Sequence, residues 1–176
     1  KDQVCVGESL LVTVTAEHPE SPEKPVDIAI DGEWGYSRYL QFTGEPGIRF
    51  IQVMAATLEK YVDSWEERIE VVECDGNQTY PIVGVRMNPF RDLVVDLDLL
   101  NAEEFSDGES TYVWQFGDGQ TTETTVPFVS HDFSESIRYD YLYTVFQAQL
   151  TIRRVNLSDV TAYKTLTVWN LYALNK

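Results

Sequence analysis

Residues 112–119 read Tyr-Val-Trp-Gln-Phe-Gly-Asp-Gly. Tyr112, Trp114 and Phe116 recur at every second position, so on a strand the three rings share one face and Val113 and Gln115 take the other. The Gly117-Asp118-Gly119 step that follows supplies positive-φ positions and a side-chain acceptor for the N–H groups of its own turn. The same alternation runs on both sides. Val83, Val85 and Met87 share a face upstream, and Val95, Leu97 and Leu99 alternate with Asp96 and Asp98, which sends apolar groups inward and carboxylates to water. Downstream, Phe146, Ala148, Leu150 and Ile152 alternate with Gln147, Gln149 and Thr151, and Leu166 and Val168 close the series. Short period-two runs separated by turn signals are the pattern of an antiparallel sandwich.

The N-terminal part repeats this logic. Leu10, Val12, Val14 and Ala16 alternate with Leu11, Thr13 and Thr15, and a proline-rich loop follows. Val26, Ile28 and Ile30 lead to an Asp31-Gly32 turn signal and a glycine-aromatic segment, residues 34–39, that reads as a loop. Ile51, Val53 and Ala55, then Ile69 and Val71, mark the last strands before Cys74. Residues 75–80 are polar and stop at Pro81, as a linker does. The expected fold is therefore all-β, with two tandem antiparallel β-sandwiches over residues 1–74 and 81–176 joined by residues 75–80. Composition agrees: 65 of 176 residues are Val, Ile, Thr, Tyr, Phe or Trp, against only 8 alanines and 5 lysines.

Trp114-Gln115-Phe116-Gly117-Asp118-Gly119, followed by Pro127 and by Ser130-His131-Asp132-Phe133, makes the second module resemble the PKD family of Ig-like sandwiches. The family pattern is an aromatic strand ending in Phe-Gly-Asp-Gly, then a proline, then a His-x-aromatic pair. The resemblance implies that Trp114, Phe116, Gly117, Asp118, Gly119, His131 and Phe133 form a structural motif, with Trp114 plugging the core. The Gly-Tyr step that usually follows is replaced here by a longer, tyrosine-rich stretch, residues 134–143. The first module is similar in pattern but lacks the Phe-Gly-Asp-Gly turn. The resemblance implies that both tandem sandwiches are Ig-like. The family implies extracellular or cell-surface placement and an adhesive, spacer or accessory role, with no chemistry of its own.

A net charge of −16 argues against nucleic acid as a partner, because phosphate backbones need a basic surface. The same charge repels anionic headgroups, and no apolar run reaches the roughly 18 residues of a spanning helix, so no direct membrane insertion is expected. Cys5 and Cys74 are the only cysteines and bracket one complete module. Two thiols alone do not build a zinc site, and a disulfide between them suits an oxidising compartment; the alternative is two unconnected buried thiols. The chain opens on Lys1, as a processed or excised chain would. An extracellular, cell-surface or periplasmic protein is expected.

No nucleophile elbow, phosphate loop, dinucleotide fingerprint or His-Glu-x-x-His occurs. Ser130, His131 and Asp132 are adjacent, and adjacent residues on a strand point to alternate faces, which forbids a relay. No catalytic residue is assigned, and no metal site. No cofactor is expected: the acidic loop around Glu103, Glu104, Asp107 and Glu109, with Asp118 on the turn at the other end of the next strand, is the one place that calcium would suit, but it lacks an Asp-x-Asp-x-Asp-Gly ligand ladder. Binding is assigned to two aromatic rows, Trp34, Tyr36 and Tyr39, and Tyr139, Tyr141 and Tyr143, since rings with polar tips offer large contact area at small entropic cost. The alternative is that these rings cover core ends or fill the junction between modules. The function expected is a non-catalytic binding, adhesion or spacer module facing a protein or carbohydrate surface, or else the accessory substrate-binding region of a secreted hydrolase.

Overall fold

A computed structural model of the chain describes residues 3–18, 20–57, 62–74, 79–87, 93–106, 108–137 and 143–170. Its strands form two β-sandwiches, each around its own core. The first contains β1 (Gln3–Cys5), β2 (Ser9–Thr13), β3 (Asp27–Ile30), β4 (Glu33–Trp34), β5 (Ser37–Gln41), β6 (Gly47–Ala56) and β7 (Val62–Val72). A five-stranded sheet, in the order β1-β7-β6-β3-β4, packs over a two-stranded sheet of β2 and β5. The alternating valines and isoleucines meet between them: Val4, Ile28, Ile30, Ile51, Val53, Ile69 and Val71 are buried, with Leu10, Val12 and Leu40 packed against them from the smaller sheet.

Local chemistry fixes the turns. Asp31 and Gly32 both adopt positive φ, 49° and 78°, which is the type I′ requirement of a two-residue hairpin between β3 and β4. The glycine-aromatic segment differs from its expected loop. Trp34 lies in β4 and Tyr39 in β5, and only Gly35 and Tyr36 lie between them. Gly35 carries a φ of 145°, and there the chain leaves one sheet for the other. β1 runs parallel to β7 with Cys5 opposite Val72, so the chain's first and last strands of this sandwich lie side by side. That pairing brings Cys5 and Cys74 to a Cα separation of 5.4 Å, and they are disulfide-bonded.

The second sandwich contains β8 (Val83–Met87), β9 (Val94–Leu99), a 3₁₀ turn (Ala102–Glu104), β10 (Thr111–Gln115), β11 (Thr121–Thr124), β12 (Phe128–Asp132), β13 (Tyr143–Arg153) and β14 (Val160–Trp169). Its sheets run β11-β10-β13-β14 and β12-β9-β8. Trp114, Phe116, Phe133, Leu150 and Val168 are at most 1% exposed between them. Of the polar stretch 75–80, residues 75–78 lie outside the described residues, and Thr79 and Tyr80 belong to no strand.

Candidate functional site

The two sandwiches meet along β14, an outer strand of its sheet, which would otherwise present an open edge. The Ser9 hydroxyl accepts from the Tyr163 N–H and donates to the Tyr163 carbonyl, both at 3.0 Å. The Tyr39 N–H donates to Thr165 Oγ1 at 2.7 Å, and that hydroxyl donates to Gln147 Oε1 at 2.8 Å. Tyr39 and Tyr163 stack with centroids 4.8 Å apart and planes 16° from parallel. A second clamp grips the start of β8. Gln41 Nε2 donates to the carbonyls of Gly7 and Pro81, and its Oε1 accepts from the Val83 N–H. Lys164, on β14, has its pKa lowered by burial and then by the charge of Arg38 on β5.

Beside this junction lies an open cleft of about 500 Å³, walled by Leu11, Ser37 and Tyr39 from the first sandwich and by Gln115, Gln120, Thr121, Gln147, Gln149, Tyr163 and the Gly117 and Gly119 turn from the second. None of these described lining residues is charged, in a chain whose net charge is −16. The register explains how they converge. Thr121 is opposite Gln115, Gln115 opposite Gln149, and Gln149 opposite Tyr163, so one row of same-face side chains crosses all four strands β11, β10, β13 and β14.

The Gly-Asp-Gly wall is held rigidly from behind. Asp118 Oδ2 accepts from His131 Nε2–H at 2.8 Å and from the Ser136 hydroxyl at 2.9 Å, while Oδ1 accepts from the Gln120 N–H at 2.9 Å. Burial works to raise the Asp118 pKa, but the bonds from His131, Gln120 and Ser136 and the attraction of His131 outweigh it and leave the carboxyl below its ordinary value. Phe116 lies flat on the His131 ring at 3.7 Å, and Phe133 meets both edge-on. Gly117 has a φ of 85°, and a Cβ there would sit 2.6 Å from the Gln147 carbonyl oxygen, so only glycine lets the turn approach β13 this closely. His131 is buried while Ser130 and Asp132 point outward on β12, and Ser130 donates instead to Asp96.

The residues singled out from sequence are dispersed. Tyr39 is half-buried in the stack at the junction. Trp34 pairs with Ala29 on the five-stranded sheet. Tyr36 is 54% exposed, with its hydroxyl donating to the Val26 carbonyl. Tyr143 opens β13 beside Trp169, their ring centroids 5.2 Å apart, and its pKa is raised by burial, then by Asp27 and Tyr36. Tyr139 and Tyr141 lie outside the described residues, as does Asp107. Asp118 faces His131 and Ser136, and among the described residues no three of His, Cys, Asp and Glu gather closely enough to hold a metal ion. Gln115, Gln147 and Gln149 were visible in sequence only as the polar half of a strand alternation.

No protein-family model matches the chain, and no curated protein sequence does. Among solved structures it is similar to SGBP-B of the Bacteroides ovatus mixed-linkage glucan utilization locus in complex with a mixed-linkage heptasaccharide. That match has 11% identity and a TM-score of 0.30, and covers 96% of this chain and 42% of that one. It is also similar to the human Desmocollin-1 ectodomain, at 12% identity and a TM-score of 0.31, covering 93% and 34%. Parabacteroides merdae beta-glucuronidase matches at 11% identity and a TM-score of 0.27, covering 80% and 20%. The chain spans less than half the length of each, and nothing those proteins bind follows for this one.

Proposed function

We propose that this chain is a non-catalytic binding module of an exported protein, with a PKD-like domain over residues 81–176, an Ig-like domain over residues 1–74, and its ligand surface in the cleft between them. The observation that carries the reading is the cleft's lining: uncharged side chains from two sandwiches in an acidic protein, backed by a turn that Asp118, His131 and Ser136 hold fixed. Preorganised polar walls favour binding because little side-chain freedom is lost on contact. The Cys5–Cys74 bond supports an oxidising compartment, which suits an extracellular, cell-surface or periplasmic site. The partner is a protein or carbohydrate surface. Placement of a bulky ring in the cleft tests this. The immobilised chain is screened by surface plasmon resonance against purified extracellular proteins and oligosaccharides, and each partner found is re-measured with Thr121→Trp and Trp169→Ala. Thr121→Trp should abolish binding at unchanged melting temperature while Trp169→Ala leaves it intact; the reverse pattern would move the site to the Tyr143–Trp169 end.

A further inference from the structure

We infer that the cleft takes an uncharged, hydroxyl-rich ligand, a neutral oligosaccharide chain, laid along the row Thr121, Gln115, Gln149 and Tyr163. The inference rests on the cleft being the ligand surface and adds the chemical class.

Three properties of the row select that class. The first is charge. With a net charge of −16 the protein repels an anionic ligand at long range, and a cationic one would meet carboxylates over the rest of the surface but none among the described residues of this cleft. A neutral ligand is what remains. The second is hydrogen-bonding type. A glutamine carboxamide offers both a carbonyl acceptor and an NH₂ donor, and threonine and tyrosine hydroxyls also do both. A sugar hydroxyl donates and accepts at once, so every member of the row can pair with it in either sense. Gln115 and Gln120 are exposed, and Gln149 is half-buried with its Nε2 on the Thr151 hydroxyl. The third is shape. Residues paired across four strands at about 4.8 Å per strand form a line about 14 Å long, the reach of a short oligosaccharide. The volume of about 500 Å³ falls inside the roughly 300–1,000 Å³ common for small-ligand sites.

An extended peptide is the other neutral, polar occupant, and it docks by adding to a free strand edge. The row instead crosses the face of the sheet, perpendicular to its strands; of the two outer strands, β14 is occupied at Tyr163 by Ser9, and β11 meets the row only at Thr121, its first residue. The face therefore offers side-chain amides without a backbone ladder. Tyr39 stacked on Tyr163 closes one end of the row and ties the ligand's position to the first sandwich, so the second sandwich alone would hold an incomplete site.

The test is calorimetric titration of the whole chain with hexamers of neutral α- and β-glucan, xylan, mannan and galactan, alongside oligogalacturonate and a sulfated galactan as anionic controls. The expected result is binding of at least one neutral hexamer and neither anionic one. Gln149→Ala and the near-isosteric Gln115→Glu should each weaken that binding at least tenfold without moving the melting temperature. Failure of every neutral hexamer to bind, or binding only of the anionic ones, overturns the carbohydrate assignment. If the screen finds instead a protein partner that Thr121→Trp releases, the cleft stands as the binding surface and only its ligand class is wrong. A neutral hexamer whose binding ignores Gln149, Gln115 and Thr121 overturns both readings.

Discussion

The two sandwiches reach a packed interior by different means. Among the described residues, the first has nine in its buried core, all valine or isoleucine, and a disulfide across its ends. The second has nineteen among the described residues, including Phe105, Tyr112, Trp114, Phe116, Phe133 and Phe146, and no disulfide. A small domain that buries little apolar surface sits close to the limit of independent stability, and a covalent link that shortens the unfolded chain offsets the deficit. Aromatic rings do the same work in the second sandwich through buried area. The lesson is that the cysteine pair and the tryptophan are equivalent solutions to one problem, placed in separate halves.

That contrast is broken most severely by removing the tryptophan. Trp114→Ala should cost roughly 3–5 kcal/mol, read as a lower urea midpoint for the second sandwich by tryptophan-independent circular dichroism, with the first affected only through the junction. A loss under 1 kcal/mol would mean that the ring is not the keystone of that core. Opening the disulfide comes next. Cys5→Ala with Cys74→Ala should cost about 4 kcal/mol in the chain-entropy model, confined to the first sandwich as shown by hydrogen exchange in β6 and β7. Equal loss of protection in β10 and β13 would contradict the division of labour.

Asp118→Ala should cost about 2–3 kcal/mol, because it strands the His131 N–H, the Ser136 hydroxyl and the Gln120 N–H behind the turn. The carboxyl also predicts a pH dependence. Its folded pKa lies below its unfolded value near 3.9, so its contribution is whole above that value and is lost as pH falls through the folded pKa. Wild type minus Asp118→Asn stability, measured by urea titration from neutral pH down to the acid limit, should shrink only at the acid end. The smallest effect belongs to the junction. Tyr39→Ala removes a stacked pair worth about 1 kcal/mol and should decouple the two unfolding transitions in calorimetry without lowering either midpoint by much.

Strand positions were legible because alternation is a local property, and Asp31-Gly32 announced its hairpin because two positive φ angles leave few residue choices. Trp114 and Phe116 could be marked by the same alternation, whereas His131 was marked only through the resemblance of its His-x-aromatic pair to the PKD pattern. Their partners could not be marked. Asp118 reaches His131 and Ser136 across a sheet-to-sheet gap, and Gln147 meets Ser37 at a sequence distance of 110. The cleft was hidden because its walls are outward-facing residues of two domains, and an outward glutamine reads as solvated until another surface is placed opposite it. Tyr39 illustrates how a short loop reading can mislead: its ring stacks on Tyr163 at the wall of the cleft, while Trp34 is carried onto the other sheet by the change at Gly35 and Tyr36 turns its hydroxyl to the Val26 carbonyl.

Side-chain amide NMR resolves whether the cleft is where a ligand sits. In ¹⁵N spectra of the whole chain titrated with the neutral hexamer that binds, the NH₂ pairs of Gln115 and Gln149 should shift progressively and saturate together, with the Gly117 and Gly119 backbone amides following. Saturable shifts confined to Tyr36, Tyr143 and Trp169, with the glutamine amides unmoved, would place binding at the other end of the molecule and contradict the cleft.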